Sequence, residues 1–328
     1  MKILVTGGAG YIGSHVVRQL TEAGRQVVVY DNLSTGFREA LIHGEELMIG
    51  DLADTVALQK AFETHAFETV FHFAASIVAP ESVEQPLKYY FNNTCNTVNL
   101  LNACLKFRVK RFIFSSTAAV YGLPENGKAS ESTPTVPINP YGQSKLMSET
   151  ILKDLASAYP LKYLALRYFN VAGADCQVRM GQRTPDATHL IKVCCQAALG
   201  KRDHVSIYGT DYETQDGTGI RDYIHIEDLA AAHVDALRYL EAGGGSTALN
   251  VGYGRGHSVR EVIAAVRRVS GVDFKVVEAA RRPGDPAMLV AEAEKIRTVL
   301  KWQARYQDLS KIVADAWQWE QKISALQV

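Results

Sequence analysis

A chain of 328 residues has room for two compact domains or one large α/β unit, which excludes a short peptide or a disulfide-stapled mini-domain. Hydrophobic residues make up 47% and charged residues 21%, proportions typical of a globular protein and not of a disordered or fibrous chain. Because 35 Lys and Arg balance 35 Asp and Glu, the formal net charge is zero, and no global field favours nucleic acid or an anionic membrane as a partner.

The cysteines and histidines indicate neither a disulfide framework nor a metal site. Five cysteines are an odd number without C-x-x-C spacing, and Cys194 and Cys195 are adjacent, which disulfide geometry disfavours. The nine histidines include no pair at i, i+4. We therefore expect reduced thiols, no metal and a cytoplasmic protein. No run approaches the ~18 apolar residues of a membrane span, and the strand-like opening leaves no room for a cleavable leader.

From residue 2 to about 167, short β-branched runs alternate with longer stretches of helical period. The runs are Ile3–Val5, Val27–Tyr30, Leu47–Ile49, Thr69–Phe73, Phe112–Ser115 and Tyr163–Leu166. Such alternation is the pattern of repeated βαβ units. It predicts an α/β fold with a doubly wound parallel sheet of six strands, the Rossmann architecture, and helices on both faces.

A glycine-rich turn follows the first predicted strand directly and opens a helix that extends to about Ala23. Gly7, Gly10 and Gly13 recur at every third position, so the turn can tighten and the backbone can approach a pyrophosphate. The free N–H groups at the helix N-terminus would face the phosphates. This context predicts a dinucleotide site at the start of the chain.

The second predicted strand is followed by Asp31, about twenty residues past the glycine turn. A carboxylate there can accept hydrogen bonds from both adenosine ribose hydroxyls and would repel a 2′-phosphate, which favours NAD over NADP. Asp31 could also be a simple turn former before Asn32, but its place after the strand favours the cofactor role. Asp51, after the third strand, could contact the adenine amino group or could equally form a turn.

Polar residues suited to proton transfer follow the fifth strand. Ser115, Ser116 and Thr117 lie at its carboxyl end, where parallel sheets bind ligands, and we expect Thr117 to be the hydroxyl beside a reacting oxygen. Lys145 follows Tyr141 by four residues, so on a helix the ammonium would lie near the phenol and favour the phenolate. An ordinary surface helix would have the same spacing, so the pair alone does not establish catalysis.

Beyond about residue 170 the alternation gives way to Gly-, Asp- and Pro-rich connections between helices. These helices are predicted near Asp186–Leu199, Glu227–Leu240, Val259–Val269 and Leu309–Gln318, and an earlier long helix is predicted from about Val83 to Phe107. We expect an NAD-binding Rossmann domain over residues 1–170 and a smaller mixed α/β substrate-binding domain over 171–328. Some segments of the second domain are expected to return to the first.

Several of these features occur together in one known family. The glycine spacing, Asp31, the strand end at 115–117 and the Tyr141/Lys145 pair resemble an extended short-chain dehydrogenase/reductase. The segments 120–122, 167–170, 217–225 and 281–285 extend the resemblance to the UDP-glucose 4-epimerase group over nearly the whole chain. That resemblance implies NAD-dependent interconversion of UDP-glucose and UDP-galactose, by oxidation to a 4-keto sugar, rotation and re-reduction. It also implies a homodimer, and it leaves UDP-N-acetylhexosamines open as further substrates.

The resemblance implies roles for individual positions as well. Tyr141 matches the catalytic base, Lys145 its electrostatic partner, and Thr117 the hydroxyl that assists at the sugar O4. With the glycine turn included, the expected NAD contacts are Gly7, Gly10, Tyr11, Ile12, Gly13, Asp31, Asn32, Asp51, Leu52, Phe73, Ala74, Ala75, Asn92, Tyr141, Lys145 and Phe169. Besides Thr117 and Tyr141, the expected substrate contacts are Asn170, His189, Leu190, Arg221, Arg282 and Asp285, whose two arginines would hold the diphosphate.

Departures from the family pattern leave the substrate preference open. Leu289 lies where a bulky tyrosine excludes N-acetyl groups in some members, and Ile77 lies where some have a lysine near the cofactor. A 4,6-dehydratase is disfavoured because Ala118 and Ala119 follow Thr117 where an Asp-Glu pair would be expected. A UDP-uronate epimerase or decarboxylase and a non-catalytic NAD-sensing protein stay open as alternatives.

Overall fold

The structure is a computed structural model that describes residues 2–184, 187–282 and 284–326. Within them the strands are β1 (Lys2–Thr6), β2 (Gln26–Asp31), β3 (Glu46–Ile49), β4 (Phe67–His72), β5 (Arg111–Ser115), β6 (Lys128–Ala129), β7 (Lys162–Tyr168), β8 (Asn170–Ala172), β9 (Val205–Tyr208), β10 (Ile220–His225), β11 (Thr247–Val251), β12 (Gly256–Ser258), β13 (Val276–Ala279) and β14 (Met288–Ala291). The helices are α1 (Tyr11–Glu22), α2 (Thr55–Thr64), α3 (Ala79–Glu84), α4 (Pro86–Tyr89), α5 (Asn96–Lys106), α6 (Pro140–Ala158), α7 (Leu190–Ala198), α8 (Ile226–Glu241), α9 (Val259–Ser270), α10 (Glu294–Leu300) and α11 (Leu309–Ala325). Shorter helical turns cover Arg38–Ala40, Ala118–Tyr121 and, in π-helical form, Tyr90–Cys95.

The main sheet is parallel throughout and has the strand order β3-β2-β1-β4-β5-β7-β11. Its central strands are apolar and buried on both faces, as a parallel sheet covered by helices requires. The predicted doubly wound fold is therefore confirmed. The strand order reverses between β1 and β4, so the carboxyl ends of β1, β4 and β5 meet at a topological switch point.

The prediction of six strands was wrong, because β11 adds a seventh beside β7. Its sequence carries Asn250 as the last residue but one, and this polar residue interrupts the apolar run that predicts a buried strand. Asn250 is nevertheless fully buried. Its side chain accepts a hydrogen bond from the Tyr121 hydroxyl at 2.6 Å and donates one to the Ala129 carbonyl at 2.7 Å. A satisfied amide can occupy a core position that its residue type does not predict.

Two smaller sheets are built mainly from the second half of the chain, with β6 as the contribution of the first half. One has the order β12-β10-β14-β6, with β8 also paired to β10, and the other pairs β13 with β9. Although β11 and α8 follow residue 170, β11 joins the main sheet and α8 packs against α1. A sheet that takes strands from both sides of residue 170 is compatible with the predicted return of segments, while the division at 170 itself stays a prediction.

The predicted long helix from Val83 to Phe107 is broken into shorter pieces. It is interrupted at Gln85, before Pro86, because proline has no N–H to continue the helical hydrogen bonds, and again by the π-helical turn before α5. Helix α7 begins at Leu190, later than predicted, and Asp186 lies outside the described residues. Strand β4 ends at His72, one residue before the predicted end. In the part of the chain that the structure describes, no helix combines the length and apolarity needed to cross a membrane.

Candidate active site

The glycine turn after β1 leaves no room for a side chain at Gly7 or at Gly13. Gly7 has φ +71°, and a Cβ built on it would lie 2.4 Å from the backbone nitrogen of Ala74. A Cβ on Gly13 would lie 2.2 Å from the Gly7 carbonyl oxygen. Helix α1 begins after Gly10 without a side-chain cap, so the N–H groups of its first turn can meet an anion. The turn is therefore shaped for close backbone approach to a phosphate.

The Asp31 carboxylate lies beside this turn and is fixed by the backbone. One oxygen accepts the N–H of Ala9 at 2.9 Å and the other the N–H of Leu33 at 2.8 Å. Burial raises the pKa of Asp31, although both backbone hydrogen bonds act in the opposite direction. The amide of Asn32 donates to Asp51 at 2.8 Å, so the predicted adenosine-side residues come together at the ends of β2 and β3.

The other predicted cofactor contacts surround the carboxyl ends of β1 and β4. The backbone N–H groups of Phe73 and Ala74 donate to the Thr6 carbonyl at 2.8 and 3.2 Å. The Tyr11 hydroxyl donates to the Gly173 carbonyl at 2.7 Å, which ties α1 to the segment after β8. In addition, Ile12 lies in α1, Leu52 after β3, Ala75 after β4, Asn92 in the π-helical turn and Phe169 between β7 and β8.

The candidate base, Tyr141, lies on helix α6 next to the end of β5. Asn139 caps the helix by accepting the Gly142 N–H at 2.9 Å, and this fixes the first turn on which Tyr141 lies. Burial raises the pKa of the Tyr141 phenol, and a hydrogen bond from Thr117 lowers it. Since Thr117 Oγ1 already accepts the Ala119 N–H at 3.1 Å, its own proton is free to point at the phenol oxygen. The structure thus brings the predicted base and hydroxyl into contact.

Lys145 lies one turn further along α6 and is buried, with 2% of its surface exposed. Its ammonium donates to the Ser115 carbonyl oxygen at 2.8 Å and lies 4.9 Å from the centre of the Phe114 ring. Burial lowers the pKa of this amine to about 7, and the charge of Glu149 raises it. The amine can therefore gain or lose a proton near neutral pH.

Sequence reasoning missed a buried ion pair behind this lysine. The guanidinium of Arg167, on β7, donates to both carboxylate oxygens of Glu149, and the Ser116 hydroxyl donates to one of them as well. Glu149 lies at i+4 from Lys145, so the same helical spacing that linked Tyr141 to Lys145 could have found it.

A cavity of about 1030 Å³ lies beside these strand ends. All six residues predicted to hold the UDP moiety line it, namely Asn170, His189, Leu190, Arg221, Arg282 and Asp285. Tyr141, Lys145 and Thr117 are not among its lining residues. Asn139, the cap of the helix that carries Tyr141, does line it, so the cavity reaches the start of α6.

Charged residues on the cavity wall are arranged around one carboxylate. Arg282 donates to Asp285 at 2.9 Å and lies over the Tyr208 ring, while Arg221 lies 3.7 Å from the same carboxylate. Burial lowers the pKa of Arg221. His189 shares a hydrogen bond of 2.9 Å with the Gln182 amide, and burial lowers its pKa. Two arginines that share one carboxylate have N–H groups left to donate hydrogen bonds to a diphosphate.

One group of possible metal ligands occurs among the described residues, formed by Cys176, His225 and Asp315. The Lys311 ammonium donates to Asp315 at 2.7 Å, so a positive charge already neutralises this carboxylate. His225 donates through Nε2 to Asp315 because its Nδ1 accepts the Glu227 N–H. These contacts explain the group as a hydrogen-bonded link between α11 and β10.

The sequence and the structure of this chain are similar to those of known nucleotide-sugar epimerases. The model of the NAD dependent epimerase/dehydratase family matches residues 3–252. A UDP-glucose 4-epimerase from Azospirillum brasilense is 54% identical over 98% of this chain and 92% of its own. The structure of the UDP-Glc/GlcNAc 4-epimerase from Campylobacter jejuni has 51% identity, a TM-score of 0.86 and coverage of 98% and 99% of the two chains. A UDP-glucose 4-epimerase from Bifidobacterium longum in complex with NAD+ and UDP has 36% identity, a TM-score of 0.94 and 98% coverage of both chains.

The parallel sheet, the glycine turn and the tyrosine–lysine helix define a nucleotide-dependent short-chain dehydrogenase/reductase of the extended type. With a family model that matches most of its length, the chain belongs to the NAD-dependent epimerase/dehydratase family.

A buried histidine under the site makes a pH prediction possible. His72 ends β4, with ring nitrogens 2.7 Å from the Thr6 hydroxyl and 2.8 Å from that of Thr97. Burial, and secondarily the charge of Lys145, lowers its pKa to about 3. Below pH ~6.5 this histidine is protonated in the unfolded chain but stays neutral in the folded protein. The free energy of unfolding therefore decreases as the pH falls.

We expect His72→Gln to lose less stability between pH 7 and pH 5 than the wild type, by about 2 kcal/mol, as measured by urea unfolding at each pH. His204→Gln, which changes an exposed histidine, is the matched control and should follow the wild-type curve. Parallel curves for His72→Gln and the wild type would contradict the assignment.

Proposed function

We propose that this protein interconverts UDP-glucose and UDP-galactose by inverting C4 of the sugar, with NAD as the cofactor. The proposal is carried by the buried phenol of Tyr141, hydrogen-bonded to Thr117, with the amine of Lys145 one helical turn away. These groups supply a base and the positive charge that favours its ionised form. The full-length similarity to the UDP-glucose 4-epimerase of Azospirillum brasilense supports the same substrate here.

The residues around the glycine turn fit NAD. Any Cβ at Gly7 or Gly13 would collide with backbone, which is the condition for a phosphate to approach closely. The uncapped first turn of α1 suits the pyrophosphate, and the Asp31 carboxylate suits the ribose hydroxyls. Held by these residues, NAD would supply a reversible hydride acceptor for C4 of the sugar, so that the overall reaction has no net redox change.

The residues proposed to transfer the proton are Tyr141 of α6 and Thr117 after β5. Tyr141 removes the proton of the sugar 4-hydroxyl and returns one when C4 is reduced again. Burial raises the pKa of this phenol, and the hydrogen bond from Thr117 favours its ionised form. Lys145, one helical turn away, would add to that effect when its amine is protonated. Burial of all three groups also excludes water from the 4-keto stage.

Inversion requires the sugar to turn while the nucleotide stays bound. Arg221 and Arg282 on the cavity wall would hold the diphosphate through charge-assisted hydrogen bonds. The lining of the same cavity includes Ile77 and Ile138, whose apolar side chains cannot hydrogen-bond to a hexose. A strong hold on the diphosphate and a weak hold on the sugar allow both faces of C4 to reach the same reactive centre.

Of the alternatives, a 4,6-dehydratase lacks the acid and base that it needs near C5 and C6. Thr117 is followed by Ala118 and Ala119 in a short helical turn, where methyl groups supply neither. UDP-glucose 4-epimerase activity therefore has the stronger support.

We expect Tyr141→Phe to lower kcat for epimerisation of UDP-galactose by at least ~100-fold, because the transferred proton has no acceptor. The measurement separates the two C4 epimers after incubation and quantifies NAD released from the denatured protein, which should be unchanged. Tyr159→Phe, an exposed tyrosine after the end of the same helix, is the control and should be fully active. Wild-type turnover by Tyr141→Phe would refute the assigned base.

We also propose that UDP-N-acetylglucosamine is a substrate. Leu289, at the position where a tyrosine limits room in some relatives, lies on β14 in register with Arg221 of β10. The similar Campylobacter jejuni enzyme is a UDP-Glc/GlcNAc 4-epimerase, which supports the same breadth here.

Replacing Leu289 with tyrosine should selectively reduce turnover of UDP-N-acetylglucosamine, by roughly tenfold or more, while UDP-glucose turnover changes little, because added bulk disfavours the larger substituent. Parallel assays with both sugars give the ratio of kcat/KM values. Leu289→Met, which keeps the volume, is the control. If Leu289→Tyr leaves that ratio unchanged, Leu289 does not control the choice.

A homodimer is proposed from an exposed apolar row. Val83, Leu87 and Phe91 recur at intervals of four residues and expose 64%, 68% and 64% of their surfaces. Met147 on α6, which packs against the same segment, is also exposed. An apolar row of this length on a soluble protein suits contact with a second copy.

Phe91→Glu should shift the protein from dimer to monomer in size-exclusion chromatography with light scattering, because a charge would be buried without a partner. Val56→Glu changes an apolar residue elsewhere that is even more exposed, and it should leave the dimer intact. A wild-type protein that is monomeric at micromolar concentration would rule out this interface.

The cytoplasm is the proposed location. All five cysteines lie in the described residues and are free, with Cys104, Cys194 and Cys195 buried. Free thiols are typical of proteins from reducing compartments.

A further inference from the structure

One wall of the cavity contains a buried hydrogen-bonded group that the proposed proton transfer does not use. Gln182, in the segment between β8 and α7, is buried, and its backbone carbonyl accepts the Lys192 ammonium at 3.0 Å and the Trp319 indole N–H at 3.1 Å. Lys192 belongs to α7 and Trp319 to α11, and both are buried as well. The backbone of Gln182 is therefore fixed between two helices before any ligand binds.

The side chain of Gln182 contacts His189 directly. Its amide nitrogen Nε2 lies 2.9 Å from Nδ1 of the imidazole. Because an amide nitrogen only donates, Nδ1 must be the acceptor and carries no proton. A protonated ring would place two donors against each other, so this contact requires a neutral imidazole with its proton on Nε2. Burial, and secondarily the charge of Lys192, lowers the pKa of His189, which agrees with the neutral form.

The second ring nitrogen of His189 opens onto the cavity. Nε2 has no hydrogen-bond partner in the described part of the chain, and it is not enclosed by protein. His189 itself lines the cavity, beside Leu190 and Ile191. The hydrogen bond from Gln182 therefore leaves one N–H of the imidazole available to a ligand.

His189 immediately precedes α7, and the first turn of this helix adds further donors. No side chain caps the helix, so the backbone N–H groups of its first turn lack a capping acceptor. Free N–H groups at a helix N-terminus favour a negatively charged oxygen. Together with the imidazole N–H they suit an anion, and in a UDP-sugar the anionic oxygens belong to the diphosphate.

Lys192 lies in the same turn of α7, but its charge is already used. The ammonium donates to the Glu320 carboxylate at 2.7 Å as well as to the Gln182 carbonyl, and both ends of this ion pair are buried. Separating a buried ion pair leaves an uncompensated charge, so the lysine stays with Glu320. Lys192 therefore supports Gln182, and the imidazole of His189 is the side chain that faces the ligand.

We propose that Gln182 is a positioning residue for nucleotide binding, which holds the His189 ring so that Nε2–H donates to an oxygen of the diphosphate beside the first turn of α7. The inference rests on the proposed function, because the ligand is the UDP moiety of the same substrate. Gln182 acts through His189 and does not contact the ligand.

The test measures binding of UDP to the NAD-loaded protein by isothermal titration calorimetry. Gln182→Met removes the amide at nearly the same length, so the ring loses its partner and the Kd for UDP should rise roughly tenfold. KM for UDP-galactose should rise in parallel, while kcat stays near the wild-type value because the proton-transfer residues are untouched. Gln307→Met, which removes an exposed amide, is the matched control and should bind UDP like the wild type.

A double-mutant cycle shows whether Gln182 acts through His189. In a His189→Ala background, Gln182→Met should change the Kd for UDP by less than about twofold, because no ring is left to position. A purely structural effect of Gln182→Met would persist in that background.

NMR of the histidine ring nitrogens gives the proton position directly. In two-bond proton–nitrogen spectra, the signals that disappear in His189→Ala belong to this ring. In the wild type they should show an unprotonated Nδ1 and a protonated Nε2, and in Gln182→Met a mixture of both forms. If Gln182→Met does not fold, the wild-type spectrum still decides.

The proposal is overturned if Gln182→Met binds UDP like the wild type, if its effect is equally large in the His189→Ala background, or if the proton lies on Nδ1. Neither calorimetry nor NMR requires turnover. A protein that shows the expected binding changes but never epimerises UDP-galactose would refute the proposed function and leave the role of Gln182 supported. A protein that epimerises UDP-galactose while Gln182→Met binds UDP normally would refute this inference alone.

Discussion

The site depends on an amine buried at the end of a β-strand. Lys145 can lie there because the Ser115 carbonyl accepts its N–H, the Phe114 ring faces its charge, and Glu149 supplies the opposite sign. The strand end thus supplies the hydrogen-bond acceptor, and the helix that carries the lysine also carries its counter-charge. The proposed chemistry of Tyr141 follows from this balance, because a phenol in a dry environment ionises only where a positive charge is held nearby.

The main sheet brings these parts together from distant points in the chain. Reversal of strand order between β1 and β4 opens a crevice, and the glycine turn, the ends of β4 and β5, and the start of α6 all border it. The second half adds the arginines of the cavity wall through β10 and the loop before β14. Cofactor-side and nucleotide-side residues thus meet at one edge of the molecule without any single segment that contains both.

Sequence reasoning reached the parts that follow from local patterns. The glycine turn, Asp31 and the tyrosine–lysine spacing were visible because each depends on residues close in the chain. Strand β11 was not predicted because it contains Asn250. The burial of Asn250 depends on Tyr121 and Ala129, which lie more than a hundred positions away. Glu149 was missed although it follows Lys145 at i+4, because a glutamate on a helix normally faces solvent and its burial depends on Arg167 of β7.

The late strand β11 also has a consequence for biosynthesis. Until residues 247–251 leave the ribosome, β7 has one side without a neighbour, and the backbone groups along that edge have no strand to pair with. The main sheet therefore receives its last strand only after most of the second half of the chain has been synthesised. In a nascent chain that stalls before this point, β7 is the edge strand of the sheet, and its unpaired backbone groups can pair with another chain.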